Sequence, residues 1–458
     1  MNPARRDFLR RGAALTAGGL AANLGILPQS AFAQTATPDY KALVCVFLYG
    51  GFDGNNTVVP LDTAGYAQYA AVRTVASGIN IAQANLLPIQ PSNTTNAYGL
   101  HPALTGLQTL FNDRRMAIVA NVGTLVQPIT KAQYLPGLIP SSLYSHSDQA
   151  AQWQSSVSNT ISRTGWGGRM ADVISGMNAG SSFPTVTSLS GTALYINGST
   201  GTPLALPSSG SFGLSGTGSS SSQVARLNAV KAILGLDRSN ELVAAAGNIT
   251  KQAIDLSAMV GGIVGNTESS IRDLFTGFPS SNSIAQQLYQ IAKLIEARGT
   301  TGAKRQVFFA SLGGFDTHGN QTATLDNLFG QLAPALKAFY DATARLGVAS
   351  QVTSFTLSDF GRTLQPASGG GTDHAWGNHQ LVIGAAVNGG ALYGSYPALV
   401  LGGSDDAEKR GRWIPTIAVD QMGATLARWF GVGTNELTTV FPNLSRFPSS
   451  DLGFMNLS

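Results

Sequence analysis

The chain is 458 residues long, only 11% charged and nominally +4, with 54 glycines and a single cysteine. Residues 1–33 hold four arginines and one aspartate, so 24 of the 28 cations and 23 of the 24 anions lie beyond them, a net +1. That near-balance excludes an electrostatic case for nucleic acid or a membrane surface, and a lone cysteine excludes an internal disulfide.

The chain opens with Arg5-Arg6-Asp7-Phe8-Leu9-Arg10-Arg11, a weakly apolar Gly/Ala-rich run from Gly12 to Leu27, and Ala31-Phe32-Ala33. This reads as a twin-arginine export signal over residues 1–33, cut before Gln34. The run is too short and too rich in glycine and alanine to span a bilayer well, and the leader has no cysteine to carry a lipid. The expected destination is the periplasm or the exterior, reached folded, with residues 34–458 as one α/β domain.

The first strand is Leu43 to Leu48, breaking at Gly50-Gly51-Phe52-Asp53. A helix around Tyr66 to Val72, a helix over Ala103 to Phe111 and a strand from Met116 follow. Further helices are expected after Ser145 and from Gly165-Trp166-Gly167-Gly168-Arg169. Residues 187–222 are dominated by Ser, Gly and Thr and read as a surface insertion, and 223–298 as helical, so that 187–298 together form an insertion or cap. The sheet resumes at Val307, breaks at Gly313-Gly314-Phe315-Asp316, crosses a helix over Leu325 to Leu346 and returns at Val352, ending on Ser358-Asp359. Strands over Leu381 to Val387 and Ala398 to Leu401 and a helix from Val419 to Phe430 close the chain. Alternating strand and helix signals predict a three-layer α/β sandwich with a mainly parallel central sheet.

Three strands that each deliver an aspartate at a turn match the way parallel sheets bind ligands at their carboxyl ends. His318 follows Asp316 by two residues, so in an extended segment both side chains face the same way and can share an ion. His374 and His379 lie in a Gly-rich loop after Asp359, and at least one is expected to be a ligand, since imidazole and carboxylate together suit borderline metals. His101 precedes a proline at a helix start and reads as structural. Cys45, inside the first strand, reads as a buried small hydrophobe.

Six motifs occur in order: Gly-Gly-Phe-Asp-Gly-Asn-Asn-Thr-Val-Val-Pro (50–60), Gly-Leu-His-Pro-Ala-Leu (99–104), Ser-His-Ser-Asp-Gln (145–149), Gly-Gly-Phe-Asp-Thr-His (313–318), Ser-Asp-Phe-Gly-Arg-Thr (358–363) and Asp-His-Ala-Trp-Gly-Asn-His (373–379). On these the chain resembles the family labelled domain of unknown function 1501, itself similar to the alkaline phosphatase and sulfatase superfamily. The resemblance implies an alkaline-phosphatase-like sandwich with one or two divalent ions (Zn, Mn, Ca or Mg) at the strand ends. It implies Asp53, Asp316, His318, Asp359 and His374 or His379 as ligands and Ser145 as nucleophile, with Ser147 in reserve. Arg362, Asn56 and His146 would bind the remaining oxygens of a phosphate or sulfate ester, borne on a small molecule or a polymer. Two departures weigh against a two-ion site: Phe360 stands where a histidine usually follows the later aspartate, and the Asp316/His318 spacing is unusually short. The alternative is a non-catalytic secreted binding or assembly protein, with a partner in the cell envelope, that keeps the fold and a structural ion.

Overall fold

The computed structural model describes residues 39–457, apart from 182, 209–211, 213–215 and 237–240. The leader expected over residues 1–33 lies outside the described residues, as does part of the Gly/Ser-rich stretch. Among the described residues, no helix is long and apolar enough to cross a membrane.

A nine-stranded sheet is the centre of the molecule. In chain order its strands are β1 (Lys41–Leu48), β2 (Met116–Gly123), β3 (Val186–Ser188), β4 (Leu204–Ala205), β5 (Arg305–Leu312), β6 (Val352–Ser358), β7 (Asn378–Ile383), β8 (Leu392–Tyr393) and β9 (Ile417–Ala418). The spatial order is β8-β2-β7-β6-β1-β5-β3-β4, with β9 also paired to β2. β1 lies between β5 and β6 and is parallel to both, whereas β7 runs against its neighbours β2 and β6.

β1 shows why the sheet needs cover on both faces. Leu43, Cys45 and Phe47 enter one core, and Ala42, Val44, Val46 and Leu48 enter the other. Such a strand reads as a continuous apolar run, because side chains alternate between two buried faces. On one face lie α1 (Thr105–Asn112), α6 (Ser283–Glu296) and α7 (Gln321–Arg345); on the other lie α2 (His146–Ser155), α3 (Trp166–Val173) and α8 (Val419–Phe430). Between them in the chain come α4 (Ser221–Ile233) and α5 (Glu241–Val264). The result is the expected three-layer α/β sandwich.

Residues 187–298, expected as an insertion or cap, meet the main domain at both ends: β3 pairs with β5 in the main sheet, and α6 contributes Ile284, Leu288, Ile291 and Ile295 to the core. Tyr195 and Ile196 are buried too, and a Cβ on Gly168 would lie 2.1 Å from the Asn197 carbonyl carbon. Among the described residues, α4 has none that is buried. Ala398 to Leu401 forms no strand: the Val400 N–H turns back to the Ala398 carbonyl, and Gly402 follows at φ +75°.

Candidate metal centre

The two Gly-Gly-Phe-Asp turns pack against each other at the carboxyl ends of β1 and β5. The Phe315 N–H donates to the Tyr49 carbonyl at 3.1 Å, and a Cβ on Gly50 would sit 2.3 Å from the Asp316 nitrogen. Gly50 also has φ +112°, so only glycine fits without strain. From these matched turns the two aspartates go different ways.

Asp53 turns inward. Fully buried, it meets Arg73 Nη1 at 2.5 Å and Nη2 at 3.0 Å and accepts from Gln321 Nε2 at 2.6 Å. Its charge is thus already compensated by a buried guanidinium. Asn56 joins the same network, accepting from Tyr69 Oη and Arg73 and donating to the Ile79 carbonyl. Neither residue is presented to a ligand, against the roles expected for them.

Asp316 turns outward to a group of histidines. His318 Nε2 lies 3.0 Å from Asp316 Oδ1, His374 Nε2 lies 3.2 Å from the same oxygen, and His146 Nε2 lies 3.4 Å from Oδ2. The three imidazoles converge through the same atom: Nε2 of His374 is 2.9 Å from that of His318 and 3.1 Å from that of His146. Each other ring nitrogen has an acceptor of its own. His146 Nδ1 meets Asp359 Oδ2 at 2.7 Å, His374 Nδ1 meets the Tyr144 carbonyl at 2.7 Å, and His318 Nδ1 is 3.3 Å from Asp373 Oδ1. Acceptors beside Nδ1 of His146 and His374 favour protons there and turn their Nε2 lone pairs toward each other and toward Asp316. Lone pairs repel unless a proton or cation sits among them, and a histidine oriented through its second nitrogen is the usual outer layer of a metal site. The Asp316 carboxylate and the His146 and His374 imidazoles lie close enough to one another to hold a single cation, with His318 beside Asp316 and His374.

The surroundings fix these groups. Arg362 is buried and fully committed: it donates to Asp316 Oδ1 at 2.9 Å, to the Gly50 carbonyl, and to the carbonyl and hydroxyl of Thr372. It therefore positions Asp316, and the expected role on substrate oxygens is not what its contacts show. Burial pushes the Asp316 carboxyl up, but Arg362, with His318 and His146, outweighs it and holds it below the usual range. Asp359 is the reverse case: burial raises it, only partly offset by His146 and by the Gly50 N–H, which donates at 3.0 Å. Its Oδ1 is buried without a hydrogen-bond partner. Asp359 thus stands behind His146 in the site, one layer out from the convergent atoms. Phe360 packs against the rings of His146 and His374, at centroid distances of 4.8 and 4.6 Å, and forms an apolar wall.

His379 is elsewhere. Buried, it accepts the Asn121 N–H at Nδ1 and stacks on Tyr396, and burial lowers its pKa to about 3. His101 accepts the Ala103 N–H at the start of a short helix, the structural role expected of it. Ser145 precedes α2, and its hydroxyl donates to Asp148 Oδ2 at 2.5 Å. Its two neighbours both touch the centre: Tyr144 through its carbonyl and His146 through its ring. The exposed Ser147 lies 3.4 Å from the same Asp148 oxygen. Sequence reasoning gave no role to Tyr144, Asp148, Asp373 and Arg73; of these Asp148, inside the Ser-His-Ser-Asp-Gln motif, and Asp373, adjacent to His374, carried a local signal.

A family model described as "Protein of unknown function (DUF1501)" matches residues 40–444. No curated protein matches the chain. Among solved structures it is similar to PsFucS1 sulfatase from Pseudoalteromonas sp., at 10% identity and TM-score 0.34 over 96% of this chain and 74% of that one. It is also similar to the lipoteichoic acid synthase LtaP from Listeria monocytogenes, at 11% identity and TM-score 0.31 over 83% and 77%. Ps i-CgsB in complex with k-i-k-neocarrahexaose matches at 9% identity and TM-score 0.33 over 88% and 77%. Likenesses this slight carry no argument about chemistry.

Proposed function

From the premise that this chain belongs to the DUF1501 family, we propose that it is an exported, metal-dependent hydrolase of a phosphate or sulfate ester. The observation that carries the reading is the convergence of three Nε2 atoms on Asp316, each imidazole held through Nδ1. His146, His374 and Asp316 would hold one divalent ion, with His318 at its side. Such an ion supplies Lewis-acid polarisation of a phosphoryl or sulfuryl oxygen.

The remaining chemistry belongs to the protein. Ser145 is the nucleophile of this reading. Its hydrogen bond to Asp148 takes the hydroxyl proton to Oδ2 as Oγ attacks phosphorus or sulfur and the ester's alkoxide leaves, protonated by solvent. Water then attacks the group on Oγ, that bond breaks, Oγ takes back the proton from Asp148, and the water's proton passes to solvent with the released acid. The first-turn N–H groups of α2 add donors for an anion. Phe360 keeps water from one side of the imidazoles, and Arg362 keeps Asp316 ionised and aimed.

The test is metal analysis of the mature protein with a panel of phosphomonoesters, phosphodiesters and sulfate esters. The expected result is about one ion per chain and turnover of one ester class, with Ser145→Ala inactive but still metal-loaded. Turnover that survives in both Ser145→Ala and Ser147→Ala would remove the covalent step. A bound ion with no turnover on any ester would favour the non-catalytic reading, to which the Phe360 wall already lends some weight.

A further inference from the structure

Resting on the hydrolase reading, the geometry points to Arg410 as an anion subsite beside the metal centre. The ester hydrolysed there would then carry a second oxyanion (sulfate, phosphate or carboxylate) that this guanidinium grips.

Arg410 is coupled to the centre through a single carboxylate. Asp373 faces His318 Nδ1 with Oδ1 and pairs with Arg410 Nη2 through Oδ2. The Arg410 side chain is 38% exposed. Its Nε reaches Gln365 Oε1 only at 3.4 Å, and Nη1 has no protein partner among the described residues. The neighbouring cations have no such capacity. Arg73 is buried and saturated, Arg362 is buried and makes four hydrogen bonds, and Arg412 is spent on the His374 carbonyl, on Glu408 and on the Tyr144 ring, 3.9 Å from its centroid.

The backbone that carries Arg410 is fixed. Asp406, fully buried, accepts four N–H groups, from Gly402 and Gly411 on one oxygen and from Glu408 and Arg412 on the other. Residues 410 and 411 also take the N–H groups of Gln365 and Leu364. A planar guanidinium on a rigid mount, with donors left over and an ion site one carboxylate away, matches paired recognition of two oxyanions.

Binding to the zinc-loaded mature protein tests this without requiring turnover. The probes are benzenesulfonate, benzene-1,3-disulfonate, benzene-1,3-diphosphonate and 3-sulfobenzoate, followed by calorimetry. The wild type should bind at least one two-anion probe about tenfold tighter than benzenesulfonate, and the best of them identifies the second group. Arg410→Gln should remove most of that preference, and Arg410→Lys should restore part of it, since a point charge lacks the fork. Cobalt substitution, read by visible absorption, should show the same ion occupancy in all three proteins. The subsite is overturned if the wild type shows no preference, or if Arg410→Gln weakens every probe alike. It is equally overturned if the variant loses the ion, for then Arg410 acts only through Asp373 on His318. A retained preference in a protein that turns over no ester would sink the hydrolase reading and leave the subsite standing.

Discussion

Asp53 and Asp316 end identical tetrapeptides and meet different fates because each finds a different arginine. Arg73 closes over Asp53 in the interior, whereas Arg362 takes only one oxygen of Asp316 and leaves the carboxylate open to the histidines. Asp53→Asn is therefore expected to cost about 3–5 kcal/mol of stability, by leaving Arg73 buried and uncompensated, with ion stoichiometry unchanged in the folded fraction. Asp359→Asn should behave oppositely. The fold should persist while ion affinity drops about 10- to 100-fold, because His146 loses the group that orients it. Urea titration alongside cobalt titration separates the two effects. An ion lost from folded Asp53→Asn would restore Asp53 to the ligand set.

The turns themselves are tested by glycine. Gly50 stands at φ +112° against the Asp316 nitrogen, whereas Gly313, at the matching position in the second turn, has nothing within 4 Å of a built Cβ. Gly50→Ala should cost about 2–4 kcal/mol and also weaken ion binding, since it would push the two turns apart. Gly313→Ala should stay within about 0.5 kcal/mol, and equal denaturation midpoints for the two variants would show that the turns do not bear on each other. This level is also where the sequence is most legible. β1, β5, β6 and α8 were readable because their apolar runs are long and both faces of the sheet are covered. Asp316, His318 and His374 were readable from their spacing and position after strands. His146 could be seen as a site residue but not as a partner of Asp359, since a contact across 213 residues leaves no local trace. His379 misled for the same reason: a Gly-rich loop gives no sign that its last histidine turns into the core as β7 begins. Arg73 lies in an ordinary helix end, and only the folded chain brings it to Asp53.

At the scale of the molecule, the leader expectation concerns the order of events rather than geometry. Replacing Arg5-Arg6 with Lys-Lys is expected to leave the protein in the cytoplasm, measured by cell fractionation; undiminished export would mark the leader as an ordinary secretory one. The centre itself is assembled from distant parts of the chain. Its convergent atoms come from α2, the turn after β5, and the strand that ends at His374, and 228 residues separate His146 from His374. No short fragment contains the set, and the Asp316 turn packs against the Gly50 turn at the ends of β1 and β5. An ion held there is therefore a receipt for completed assembly: a half-made chain has nothing to hold it with, and a molecule that retains its ion through denaturant has kept its central strands together.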